Sequence, residues 1–210
     1  MVENRRPRRP AILTPAQTES LVGDIDPAQE SALAHACAWA ILNVSDSTFG
    51  PEVIQRLHEV IATEGVDIIA HIWARSPEFT LPGALWRSYL FHEWCVRDLH
   101  VVTRLYELGL QEYDLGEYET RHSAGSLNAL LNELEHLFAG QLTDDDLENL
   151  LLWTSSVMRI IAAGNNPEGS WIEDITDPLA YPVTLRSHAL VRTAEELERS
   201  AQEAAHGRLE

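Results

Sequence analysis

The stretch from Thr80 to Gly109, TLPGALWRSYLFHEWCVRDLHVVTRLYELG, constrains the fold more than any other part of the chain. Thr80 is an N-cap residue, Pro82 suits a first helical turn, and Gly109 is a conventional stop. The spacing predicts one helix over about residues 82–108, roughly 40 Å long at 1.5 Å per residue. Most of its circumference is apolar. Phe91, Trp94, Cys95, Leu99, Val102 and Leu105 share one arc, and Glu93, Arg97, His100, Arg104 and Glu107 cluster on the other, where Glu93 and Arg97 are spaced for an i,i+4 ion pair. A helix of this kind needs a shell of other helices around it.

The rest of the chain supplies such a shell. Thr14-Pro15 and Asp26-Pro27 each place a cap before a proline. The second opens a helix to about Asn43 with Leu33, Ala36, Cys37, Ala40, Ile41 and Val44 as its stripe. Gly50-Pro51 opens another, with Val53, Ile54, Leu57 and Ile61 inward and Gly65 as stop. A short helical segment follows over Val66 to Ala74. Ser126 caps a helix carrying Leu127, Leu130, Leu131, Leu134, Leu137 and Phe138, which ends at Gly140. Thr143 caps the next, and Asp144, Asp145 and Asp146 fill its first turn, where the helix dipole favours anions. That helix ends at Gly164. Residues 110–122 and 168–182 read as irregular, and a last helix is expected from about Thr184 to Ala205. No segment alternates as a strand does. The expected fold is all-α: a bundle of roughly five to seven helices around the long central one. Residues 1–13, with the Arg- and Pro-rich run RRPRRP, are expected to be a flexible basic arm, and residues 14–210 a single domain with a fraying C-terminal end.

Charge excludes several functions. The chain has 33 acidic and 15 basic residues, a net charge of −18, and every basic residue is Arg. With no lysine, Schiff-base chemistry and a P-loop lysine are excluded. The acidic surface opposes a nucleic-acid backbone over the folded body and favours cations or a basic protein partner. No apolar run reaches the ~18 residues that span a bilayer, and no secretory signal opens the chain, so a cytoplasmic protein with no membrane partner is expected. Cys37 and Cys95 fall on apolar faces with no C-x-x-C spacing, as reduced core thiols do.

Three residues of the central segment do not fit a purely structural helix. Arg87, His92 and Asp98 point into its apolar arc, where an ion must be paired, hydrogen-bonded or neutral. They are either structural groups satisfied by neighbouring helices or the lining of a pocket for a small polar ligand. Arg87 and Asp98 lie about 16 Å apart along the axis and cannot pair with each other. Glu133-x-x-His136 has the spacing of a di-iron ligand pair, but His136 lies about 180° from the stripe of its own helix, facing solvent. No metal and no cofactor is expected. Trp39, Trp86 and Trp153 fall at helix edges, where aromatic residues anchor interfaces. The chain therefore reads as an acidic helical protein that acts by binding, as a homodimer. The alternative is a helical receptor or enzyme with a pocket lined by Arg87, His92 and Asp98.

Overall fold

The caps and stripes of the sequence become helices in the computed structural model, which describes residues 26–45, 49–112, 126–165 and 171–209. The helix start at Thr14-Pro15, the basic arm and residues 113–122 lie outside those ranges. Nine α-helices are described: α1 (Pro27–Ile41), α2 (Pro51–Glu64), α3 (Asp67–Ala70), α4 (Leu81–Arg97), α5 (Leu99–Glu112), α6 (Leu127–Phe138), α7 (Asp144–Ala163), α8 (Pro182–Leu185) and α9 (Ala189–Ala205). A 3-10 turn, His71–Trp73, continues α3. The described residues contain no strand, and the fold is an all-α bundle.

The starts follow the expected chemistry. Asp26, Thr80 and Ser126 each accept a backbone N–H of the first turn. At α7, Asp146 accepts from the Thr143 amide at 3.1 Å and from its hydroxyl at 2.9 Å, so one of the three first-turn acids is committed to the cap.

α4 is the centre of the bundle. It touches α1, the 3-10 turn, α5, α6, α7 and α9, and every residue from Leu81 to Phe91 is buried. One core runs through the described helices, with Trp73, Trp86 and Phe91 among its fully enclosed side chains. Burial of a large apolar side chain stabilises by about 1.5–3 kcal/mol, so these rings contribute heavily to holding the bundle around α4.

The central helix is not continuous, which departs from the expected unbroken span. It breaks at Asp98, whose φ of −109° and ψ of 30° leave the helical region. The break lets two halves serve two neighbours: α4 packs against α1, α6 and α9, whereas α5 lies along α7. It also resets the helical wheel. Leu99, placed inward by an unbroken helix, is 42% exposed, while Val102 and Tyr106 carry the buried face of α5. The expected Glu93–Arg97 pair does not form, because Arg97 reaches Asp98 and Asp177 instead. The last helix is likewise split. His188 adopts a left-handed φ of 55° and separates the single turn α8 from α9.

α5 runs three residues past Gly109. That glycine is where α5 and α7 come closest: a Cβ there would lie 1.8 Å from the Ile160 carbonyl oxygen. On the other helix, a Cβ on Gly164 would lie 1.9 Å from the Leu105 oxygen. No described helix is long and apolar enough to cross a membrane.

Candidate functional site

α4 builds the site through one stripe. Trp86, Tyr89, Glu93 and Arg97 follow the i, i+3, i+7, i+11 spacing and fall within an arc of roughly 80°. Tyr89, Glu93 and Arg97 line a cleft of about 360 Å³ together with His71, Pro178, Leu179 and Tyr181. Trp86 lies beneath it, 1% exposed. Its indole stacks on Tyr89 at 5.5 Å and meets Tyr181 edge to face at 4.8 Å, and His71 lies 6.1 Å away. Three of the seven lining residues, His71, Tyr89 and Tyr181, are therefore aromatic and packed around one buried indole.

Each wall is tied down. Trp171 anchors the far wall by packing edge-on against Phe91 and Trp94. The amides of Trp171 and Ile172 donate to the Thr184 carbonyl at 2.9 and 3.1 Å. The Thr184 hydroxyl donates to the Leu179 carbonyl at 2.5 Å, and the Tyr181 amide donates to that hydroxyl at 2.9 Å. Asp177 accepts from the Leu179 amide at 2.7 Å and from Arg97 at 2.7 Å, which fastens this wall to the end of α4. The hydrogen bond from Arg97, more than any other contact, holds the Asp177 carboxyl below the usual carboxylate range. On the near wall, the Tyr181 hydroxyl lies 3.4 Å from His71 Nδ1.

The polar groups of the cleft are donors and acceptors, and most are already engaged. The Tyr89 hydroxyl donates to Asp67. Burial first, and then that hydrogen bond, push the Tyr89 phenol far above its ordinary pKa, so it stays neutral and keeps donating. Glu93 is half-buried and accepts from His92 Nδ1 at 3.1 Å, which leaves acceptor capacity on its carboxylate. Arg97 is already engaged twice, with Asp98 at 2.6 and 3.0 Å and with Asp177.

The structure does not bring Arg87, His92 and Asp98 together. Arg87 is 4% exposed and turns away from the cleft; its Nε donates to Glu196 of α9 at 2.7 Å and its Nη1 to the Gly83 carbonyl at 2.9 Å. His92 packs edge-on against Phe138 and bonds to its neighbour Glu93. Asp98 is half-exposed and pairs with the adjacent Arg97. His92 and Asp98 thus each touch a residue that lines the cleft, and neither lines it.

The three tryptophans also separate. Trp86 is enclosed beneath the cleft, where a partner protein cannot reach it. Trp39 and Trp153 are half-buried, and Trp39 opens onto a groove of about 350 Å³ with Asp144, Asp145 and Glu148. Cys37 and Cys95 are buried free thiols, and burial pushes the Cys37 thiol up to about 11 and that of Cys95 up as well. Both are protected from acting as nucleophiles.

No three His, Cys, Asp or Glu side chains among the described residues converge as metal ligands would. His136 lies 4.0 Å from Glu133 on a half-exposed surface. The same spacing recurs at Glu203 and His206, where His206 is exposed at the end of α9, and at Glu119 and His122, outside the described residues.

The cleft residues carry a signal that the sequence holds. A stripe of two aromatic residues and two opposite charges is unusual on a helix this apolar. The chain matches no known family model, no curated protein and no solved structure.

Proposed function

We propose that this protein acts by binding, and that the cleft between α4, the His71–Trp73 turn and residues 171–181 is its receptor site for a small organic molecule. The carrying observation is the combination of an aromatic-lined concavity of about 360 Å³ with walls held by a continuous set of hydrogen bonds. Small-molecule sites are of this size, mostly apolar, largely pre-formed, and carry a few placed polar groups. Here those groups are the Glu93 carboxylate and the His71 and Tyr181 side chains. Screening a fragment library by amide chemical shifts tests this: hits should move Glu93, Leu179 and Tyr181 together. A screen whose hits all map elsewhere, or that gives no hits, contradicts the reading.

A second reading, self-association, rests on a different observation. Val96 and Val101 are each 53% exposed, and Leu99, Leu108 and Leu110 are exposed on the same stretch. On α5, Val101 and Leu108 share one side and Leu99 and Leu110 another, and apolar side chains left exposed in pairs on a helix face suit a protein contact. A homodimer would cover them, and the separate acidic groove beside Trp39 suits a basic partner. The net charge disfavours nucleic acid, and a cytoplasmic setting suits two unpaired thiols.

A further inference from the structure

We propose that the ligand of this cleft is an organic cation, an amine carried on an apolar or aromatic body, with its ammonium group among Tyr89, Tyr181 and Glu93. This rests on the cleft being a receptor site and adds the chemical class that it takes.

Three observations favour a cation over an anion or a neutral molecule. The first is the wall. Tyr89, Tyr181 and His71 present aromatic rings around the space, with Trp86 behind them. Ring faces carry the negative end of the aromatic quadrupole and attract a desolvated ammonium. The hydrogen bond from the Tyr89 hydroxyl to Asp67 fixes that ring in the wall and keeps it neutral.

The second is the charge balance. Asp67, Glu93, Asp98 and Asp177 are in the cleft or bonded to its lining, against the single guanidinium of Arg97. Arg97 has both of its faces committed, to Asp98 and to Asp177, so little attraction remains for an incoming carboxylate or phosphate. Among these acids Glu93 is the one that lines the cleft itself. Its described partner is the His92 imidazole, and its carboxylate can accept an N–H from a ligand.

The third is the wider field. The whole chain carries −18, so the net field favours an approaching cation over an anion, within the ~8 Å over which charges act at physiological salt. A neutral ligand would leave the Glu93 carboxylate partly desolvated and uncompensated, which costs binding energy.

The test is calorimetric titration of the full chain with three probes of one shape: benzylamine, benzyl alcohol and benzoate at neutral pH. Amide shifts of Leu179 and Tyr181 locate the binding. Benzylamine should bind in the cleft about tenfold more tightly than benzyl alcohol, and benzoate more weakly than either. Glu93→Gln preserves shape, and its side chain is not part of the core, so the variant should keep the wild-type melting profile. It should lose about tenfold in benzylamine affinity and bind benzyl alcohol no more weakly than the wild type does, because the penalty of desolvating the carboxylate is removed. If benzyl alcohol or benzoate binds in the cleft as well as benzylamine, or if Glu93→Gln leaves benzylamine unaffected, the cation assignment falls and the receptor site stands. If none of the three binds there at millimolar concentration, the receptor reading falls with it.

Discussion

Glu196 sits between two guanidinium groups. It accepts from Arg87 at 2.7 Å and from Arg186 at 2.6 and 2.8 Å, and Arg186 also donates to Thr193 at 2.9 Å. Burial alone would raise this carboxyl, but the hydrogen bonds from Arg186 and Arg87 together hold it below its ordinary range. Removing the acid strands two cations, whereas removing Arg87 leaves Glu196 paired with Arg186. Glu196→Ala should therefore cost about 3–5 kcal/mol in urea denaturation, and Arg87→Ala distinctly less. Equal losses would mean that the triad is not the stabilising unit. The pH dependence follows from the direction of the shift. A folded carboxyl below its unfolded value stabilises fully above the unfolded value, near 4.3, and that contribution disappears as pH falls through the folded value. The urea midpoint should be flat from neutral down to about pH 5 and decline below it, less steeply in Glu196→Gln. An identical acid slope in that variant would assign the loss to other groups. At this scale the sequence is half legible. An Arg on an apolar arc must have a counterion, so the need of Arg87 for a partner follows from position alone. That the partner is 109 residues away follows only from folding. For His92 and Asp98 the hydrogen-bond partners are the adjacent Glu93 and Arg97, and an ideal helical wheel places such neighbours about 100° apart, out of apparent reach.

Helix starts were readable because capping is local chemistry, confined to three or four residues. Asp26, Thr80, Ser126 and Thr143 all begin helices where their side chains predict. Gly109 and Asp98 were not readable, for a shared reason: both answer to α7 or to residues 171–181 rather than to their own sequence neighbours. Gly109 resembles a stop but is the point where the Ile160 carbonyl approaches too closely for a side chain, and Asp98 resembles a mid-helix anomaly but is where the chain turns from one set of neighbours to another. Gly109→Ala is a good helix substitution on propensity and should stabilise if Gly109 were merely a weak helical residue. The close approach predicts the opposite: a loss of about 1–3 kcal/mol or more in chemical denaturation, as α5 is pushed off α7. A neutral or stabilising result would show that the two helices can separate freely. The cleft is an element-scale feature in the same sense. Its α4 stripe can be read in the sequence, but its far wall is an irregular segment fastened by Asp177, Thr184 and Trp171, and no periodicity announces that.

The all-α class was legible from the whole chain because apolar spacing recurs from Leu33 to the last helix and nothing alternates. Seven of the nine described α-helices have twelve residues or more, the rest being single turns, and the broken central segment supplies two of them. Charge also acts at this scale. Two copies of a −18 chain repel each other, and ions screen exposed charges beyond about 8 Å at physiological salt. If the apolar surface around Val101 and Leu108 forms a dimer, light scattering should show association that tightens as salt rises. A monomer at every ionic strength would leave that surface without a second copy, and dissociation on adding salt would mean a contact held by ion pairs. The central claim concerns the cleft, and a crystal structure grown with benzylamine tests it most directly. The account predicts the ammonium between the rings of Tyr89 and Tyr181 and within hydrogen-bond distance of Glu93, with the Arg97–Asp177 pair intact. Benzylamine bound elsewhere on the protein, with the cleft left vacant, would contradict it.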